Sequence, residues 1–320
     1  MNSEINKKQK IIAVISIFIL FLFTGIFLFL ISKNNKEKNI TLRNKVIQLQ
    51  LERENLKKIE QIYLDGSPLS EITSKSFITL AFTTGGTKKI LLEKEPNLLL
   101  PIASITKLMV AVVALENVNP DTNVIATLDY IGKEQSSFIL ETNKVYKIKE
   151  LLANALISSD NDSARLISST LGESNFIDKM NFKAKELNLT QTNFVNVTGL
   201  DPQLLTSGLN TSSVSDLANL LIYIKIKHPE ILDTTIKPEY NFCDVNNFCK
   251  IIINTDKLLA SKDLKFKIIG SKTGSTDLAK KNLAIMTEIV DNIFLINIVL
   301  GAEDSFTDTL SIINHFKINN

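Results

Sequence analysis

The chain has 320 residues, 44% of them hydrophobic, and 36 basic against 34 acidic residues give a net charge of +2. A chain of this length can bury one substantial core and a small addition. The charges are interspersed without a basic block and there is no Trp, which excludes nucleic acid as a partner class.

Residues 11–31, IIAVISIFILFLFTGIFLFLI, follow Lys7, Lys8 and Lys10 and carry no charge. At about 1.5 Å rise per residue, such a helix matches the roughly 30 Å hydrocarbon layer of a bilayer. The run is long for a secretory signal, and LISKNNKEK offers no small-x-small cleavage site. One retained transmembrane helix, after a tail of residues 1–10, is the expectation. Lys33, Lys36 and Lys38 balance the lysines on the other side, so flanking charge leaves the orientation open.

Residues 32–62 are charged and helix-prone, and read as a helical stalk. Leu42, Val46, Leu49 and Leu56 follow a 4-3 spacing that Arg53 interrupts, so a weak dimeric coiled coil is the alternative. LDGSP then opens a globular domain, residues 63–320. FITLAF, TTGGT and KKILLEK predict a β-hairpin, with glycines where the turn needs positive φ. Helical periodicity begins at Ser104 and runs through LMVAVVALENV to Asn119-Pro120. KIKELLANALISS and SARLISSTLG predict two helices broken at Ser159–Asp162. FIDKMNFKAKELNL and SVSDLANLLIYIKI predict two more, the latter capped by Ser213 or Ser215. KFKIIGSK, NLAIMTEIV and NIFLINIVLG read as strands, the last two joined by a tight Asp291-Asn292 turn, and SFTDTLSIINHF closes the chain as a helix. Strands at both ends with a helical block between them predict an α+β fold. One antiparallel sheet would be assembled from both ends of the domain and flanked by helices, after the transmembrane helix.

Three short motifs could carry chemistry. Ser104 is the only serine with a lysine, Lys107, three residues on. At a helix start the two share a face, and the unpaired N–H groups there favour a developing oxyanion. A serine hydroxyl needs a base, and lysine can serve if burial or a nearby cation keeps it neutral. Ile102, Leu108 and Met109 would bury it. Ser159-Asp160-Asn161 lies at the helix break, where a second hydroxyl could relay a proton and an amide could hold a peptide bond. Lys272-Thr273-Gly274 ends a strand. There an ammonium and a hydroxyl project together as a carboxylate-binding pair, and the following N–H, on Ser275, could complete an oxyanion hole. Alone, each motif has a plain structural reading: an N-cap, an Asx break, a strand end. Together and in this order they match the signature of β-lactamases and penicillin-binding proteins.

The match extends further. KKILLEKEPNLLLPIASITKLM, ELLANALISSDNDSARLIS, AKELNLTQTNFVNVTGLDP and IIGSKTGSTDLAKKNLAI resemble D-alanyl-D-alanine carboxypeptidases, the low-molecular-mass penicillin-binding proteins, over residues 75–302. The resemblance implies a β-lactamase/DD-peptidase-like fold and a serine peptidase that removes the terminal D-Ala from peptidoglycan stem peptides. It implies no cofactor and no metal, with β-lactam antibiotics as covalent inhibitors. Ser104 would be acylated, with Lys107 its base and Ser159 the proton relay. Asn161 would hold the substrate amide, and Lys272, Thr273 and Gly274 the carboxylate side. The backbone of Ser104 and Ser275 would form the oxyanion hole. Two departures stand out: Asp160 replaces the Gly of many relatives, and the chain leaves no room for their C-terminal β-domain and anchor, which the N-terminal helix would replace. Peptidoglycan lies outside the cell membrane, so the resemblance implies a single-pass membrane protein with an extracytoplasmic catalytic domain. That compartment favours a disulfide between Cys243 and Cys249, which flank a hairpin turn at Asp244–Asn247. A DD-endopeptidase, a β-lactamase and a catalytically idle peptidoglycan-binding scaffold remain as alternatives. Lys185–Asn188 has the wrong spacing for the deacylating Glu loop of class A β-lactamases.

Overall fold

The structure, a computed structural model, describes residues 2–64, 71–133, 139–202, 208–290 and 292–318, with only some of the side chains among residues 2–35. The chain divides into two compact units, residues 1–56 and 57–320. The first is helical: α1 spans Asn2–Glu60 and ends with Lys57 and Lys58 at the negative end of its dipole. Among the described residues no helix is long and apolar enough to cross a membrane. The transmembrane expectation for residues 11–31 falls mostly on side chains outside the described ones.

In chain order the second unit contains β1 (Ile62–Leu64), β2 (Ser76–Phe82), β3 (Lys88–Lys94), β4 (Leu100–Pro101), α2 (Thr106–Asn117), β5 (Asn123–Ile125), β6 (Val145–Lys147), α3 (Ile148–Ile157), α4 (Asn161–Ser169), α5 (Glu173–Glu186) and β7 (Thr211–Ser212). It continues with α6 (Val214–Lys227), α7 (Pro229–Thr235), β8 (Glu239–Cys243), β9 (Cys249–Ile253), β10 (Lys267–Thr276), β11 (Lys280–Val290), β12 (Ile293–Ala302), α8 (Ser305–Asn314) and β13 (Phe316–Ile318).

Five strands form the main sheet in the order β10-β11-β12-β2-β3, every pair antiparallel. The N-terminal hairpin therefore adds to the C-terminal meander, with Ile298 opposite Ile78 and Ile296 opposite Leu80. Every residue of β2 and β12 is buried, which explains their near-continuous apolar sequences: both faces are covered. Ile78, Leu80, Ile296 and Ile298 face the larger core, shared with α2 to α7. Phe77, Ala81, Leu295 and Val299 face a smaller one under α8, which Ile59 and Phe316 complete. β10 is left as a sheet edge beside the helical block.

Two expectations shift by a few residues for local reasons. Ser104 does not open the helix: residues Ala103–Ile105 form a 3-10 turn, Ala103 holds φ +47°, and α2 starts at Thr106. The fourth helix starts at Asn161 rather than Ser163, because Asp160 caps it, its carboxylate accepting from Ser163 N at 2.6 Å. Ser213 caps α6, accepting from Asp216 N at 3.2 Å. The Asp291-Asn292 turn lies partly outside the described residues; Asn292 takes φ +62°. Pairing of β1 with β13 was not foreseen, because three-residue strands leave little period to read.

Candidate active site

Ser104 sits on the tight turn between β4 and α2. The turn is held in a left-handed conformation at Ala103, which costs about 1 kcal/mol for a non-glycine residue, and two glycines make room for it. A Cβ on Gly199 would meet Ala103 O at 1.9 Å, and one on Gly274 would meet Ile102 O at 2.8 Å and Ser104 N at 3.2 Å. Bare backbone at these two positions lets the 196–201 loop and strand β10 close on the turn. Gly274 thereby sets β10 against the Ser104 amide, the place an oxyanion donor has to occupy.

One helical turn on, Lys107 is 1% exposed. Its Nζ lies 2.8 Å from Ser104 Oγ, 2.8 Å from Asn161 Oδ1 and 2.9 Å from Thr198 O. Two of these partners can only accept, and the third carries a hydroxyl proton. Lys107 Nζ can donate to all three oxygens, and once neutral it keeps N–H bonds to Asn161 and Thr198 and turns its lone pair to the Ser104 hydroxyl. Burial holds the Lys107 pKa well below the ordinary lysine value, and the nearby Lys272 ammonium lowers it further, against an opposing pull from Asp160. A lysine so placed can act as the base for Ser104.

Ser159 occupies the junction of α3 and α4 with φ +63°, the second left-handed non-glycine at the site. Lys272, on β10 and 2% exposed, donates to Ser159 Oγ at 2.9 Å and to Thr273 O at 3.2 Å. Burial lowers the Lys272 pKa to about 7, while Asp256 acts in the opposite direction. The Thr273 and Thr255 hydroxyls are 2.6 Å apart. A cleft of about 580 Å³ lies over these groups, lined by Ser104, Ser159, Thr273 and Ser275 and flanked by Lys257 and Lys281.

Ser104, Ser159, Thr273, Gly274 and Ser275 thus line one cleft. Lys107 and Lys272 are buried behind it, bonded to Ser104 and Ser159 respectively, and Asn161 bonds to Lys107, while Asp160 of the second motif caps α4. Asn161 touches the base directly, a contact that its reading as a substrate-amide holder did not include. Cys243 and Cys249 form a disulfide that closes the β8–β9 hairpin, and neither lines the cleft. Sequence reasoning missed Thr198, whose contribution is a backbone carbonyl and so leaves no side-chain signal. It also missed Thr255 and Asp256, which belong to no motif. Among the described residues no cluster of His, Cys, Asp and Glu could hold a metal ion.

Comparison with known proteins places this site in context. Residues 61–304 match the family model described as D-alanyl-D-alanine carboxypeptidase, Peptidase S11. A D-alanyl-D-alanine endopeptidase of Pseudomonas aeruginosa is 30% identical over 230 residues, 70% of this chain and 70% of that one. The D-alanyl-D-alanine carboxypeptidase DacF of Bacillus subtilis is 31% identical over 252 residues, 74% of this chain and 60% of that one. Penicillin-binding protein D2 of Listeria monocytogenes, in its ampicillin-bound form, superimposes with a TM-score of 0.66 at 26% identity, covering 78% of this chain and 99% of that one.

Proposed function

Because the chain belongs to the D-alanyl-D-alanine carboxypeptidase family of serine hydrolases, we propose that it works through an acyl-enzyme on Ser104, with Lys107 as the base. The enzyme is a serine-type D-Ala-D-Ala carboxypeptidase. Its substrate is a peptidoglycan stem peptide. Ser104 Oγ attacks the carbonyl carbon of the penultimate D-Ala, and the hydroxyl proton passes to the Lys107 lone pair. The N–H groups of Ser104 and Ser275 receive the oxyanion. The C–N bond to the terminal D-Ala then breaks, and the leaving nitrogen takes its proton through the Ser159 hydroxyl. Lys272 and Thr273 hold the terminal carboxylate. Water releases the shortened peptide from Ser104 and regenerates the hydroxyl. A β-lactam ring opened by the same attack keeps its leaving nitrogen tethered, so the Ser104 ester persists as a penicillin adduct.

The observation that carries this reading is the 2.8 Å contact between Ser104 Oγ and a buried Lys107 whose other two partners are acceptors only. Benzylpenicillin added to the protein should leave a long-lived adduct in the intact mass, absent from Ser104→Ala. The wild type should release D-alanine from a peptide ending in D-Ala-D-Ala. Folded wild-type protein that gives neither adduct nor D-alanine would overturn the assignment.

Residues 11–31 are proposed to anchor the protein in the cell membrane, with residues 1–10 cytoplasmic, 32–62 a helical stalk and 63–320 the extracytoplasmic catalytic domain. Supporting this are the 21 uncharged residues of the run, close to a bilayer span, and a substrate that lies outside the membrane. Fractionation into a membrane pellet that resists carbonate extraction, with residues 63–320 open to external protease, is the expected outcome. A chain recovered free in the supernatant would contradict the anchor.

A further inference from the structure

The stalk part of α1 carries an apolar stripe that lies open to solvent. α1 runs unbroken for 59 residues, and residues 36–58 contain neither Gly nor Pro to end it. Leu42, Val46, Leu49 and Leu56 are 63%, 45%, 55% and 44% exposed. Single exposed leucines need no explanation, but these recur every four and three residues, which keeps them on one face of the helix. Most helical stability in proteins comes from packing such a face against something.

The pattern around the stripe says what fits it. With Leu42, Leu49 and Leu56 at heptad position d, the a positions are Asn39, Val46 and Arg53. A β-branched residue at a with Leu at d favours two strands, and a single Asn at a fixes register and oligomer state. Arg53, which interrupts the stripe, follows Glu52 at g. In a parallel pair a side chain at a lies beside the g residue of the facing helix, so Arg53 meets Glu52 of the second copy. Glu52 also faces Lys57 at the next e position. The face therefore supplies both signs of its own ion pairs, a match that a second copy of the same helix provides.

We propose that residues 39–57 pair with the same residues of a second copy as a parallel two-stranded coiled coil. The parallel direction rests on the membrane anchor proposed above, which sets both copies the same way up and raises their local concentration. That help matters, because the seam is short and Lys38 at g faces Arg43 at e, a like-charge pair. Ile47 and Leu51 stay on the outer faces, exposed.

The test is disulfide capture of the full chain in isolated membranes, read on a non-reducing denaturing gel. Leu42→Cys and Leu56→Cys place a thiol in the seam, and Asn44→Cys places one on the outer face. Cys243 and Cys249 are bonded to each other, so the introduced thiol is the reactive one. Both seam variants should give at least about tenfold more covalent dimer than Asn44→Cys, since a disulfide needs Cα atoms within roughly 7 Å of each other. Leu42 and Leu56 lie roughly 21 Å apart along the helix, so only a parallel pair joins each to its own copy. Leu49→Glu added to Leu56→Cys should cut the yield about tenfold. Arg53→Glu, which sets like charges together at Glu52, should lower it too, and Arg53→Leu should raise it. Every variant should acylate with benzylpenicillin at the wild-type rate, which shows a folded catalytic unit. Equal yields from seam and outer positions would overturn the proposal, as would a seam yield indifferent to Leu49→Glu. A chain recovered in the supernatant fails the anchor instead; oxidised there, the same variants still read the pairing, and absence of the seam dimer counts against it.

Discussion

Lys272 donates a 2.9 Å hydrogen bond to the Ser159 hydroxyl, tying the edge strand of the sheet to the junction between α3 and α4. Lys107 and Lys272 are both buried in this one site, and the Lys272 ammonium disfavours a charge on Lys107. The two lysines differ in what acts on them: burial and the Lys272 ammonium hold the Lys107 pKa well below the ordinary lysine value, while Asp256 opposes the lowering that burial imposes on Lys272.

That division sets the pH profile. In the free enzyme Lys272 titrates at about 7, and only its protonated form attracts a carboxylate. The kcat/KM for D-alanine release should therefore fall as pH rises through about 7. A bound carboxylate favours the ammonium and raises its pKa, so kcat should hold to higher pH than kcat/KM does. Coincident alkaline limbs in the two parameters would count against Lys272 as the binding cation.

Burial of Lys272 also has a cost in stability, with a definite sign. Its pKa is lowered from 10.5 to about 7 on folding, so between these values the unfolded chain binds more protons and stability rises with pH. Below about 7 the penalty is fully present. Lys272→Met, which keeps length without charge, should raise Tm at pH 6 and gain less at pH 9, by an amount on the order of a few kcal/mol. Equal shifts at both pH values would mean that the ammonium is not held at a loss.

Gly274→Ala tests the oxyanion hole without touching a reactive side chain. The added Cβ would lie 2.8 Å from Ile102 O and 3.2 Å from Ser104 N, and both are backbone atoms that cannot swing aside. The Ser104 amide should shift, and penicillin acylation should slow by roughly 10² to 10³ while Tm falls only modestly. Stopped-flow acylation rates and a melting curve measure the two effects separately.

Much of this site was legible in the sequence, for identifiable reasons. The three-residue spacing keeps Ser104, in the 3-10 turn, within reach of Lys107 in the first turn of α2; that spacing alone also fitted an N-cap, and the three motifs in order identified nucleophile and base. The apolar, β-branched runs NLAIMTEIV and NIFLINIVLG predicted β11 and β12, and the hairpin from Ser76 predicted β2 and β3. What escaped depends on distance in the chain. Thr198 reaches Lys107 with a carbonyl oxygen 91 residues away, and every residue has a carbonyl. Asp256 looks in sequence like any turn residue; only folding brings it against Ser271. The 3-10 turn at Ala103 packs against the bare backbone of Gly199 and Gly274, distant in the chain, a contact that no local pattern records.

The Cys243–Cys249 disulfide closes a six-residue separation at the end of the β8–β9 hairpin. By the chain-entropy relation a loop this short contributes roughly 2 kcal/mol. Replacing both cysteines with serine should lower stability by about that amount and leave the penicillin acylation rate within about threefold, since neither residue lines the cleft. Urea unfolding alongside the acylation assay measures both. A large loss of acylation in folded protein would link the hairpin to the Thr255–Asp256 loop that follows it.

Asn161→Asp asks whether Lys107 acts as a neutral amine. Asn161 Oδ1 lies 2.8 Å from Lys107 Nζ in a buried setting, and aspartate preserves the shape while adding a charge. A carboxylate at hydrogen-bond distance favours the ammonium, so the depressed Lys107 pKa should rise. The lysine would then hold its proton at neutral pH and could not accept the one from Ser104. D-alanine release at pH 7 should fall by at least about a hundredfold, and the acid limb of kcat/KM should move to higher pH. The adduct with benzylpenicillin should still form, slowly, and faster as the pH is raised. If the variant folds and loses activity equally at every pH, Asn161 serves the substrate rather than the base.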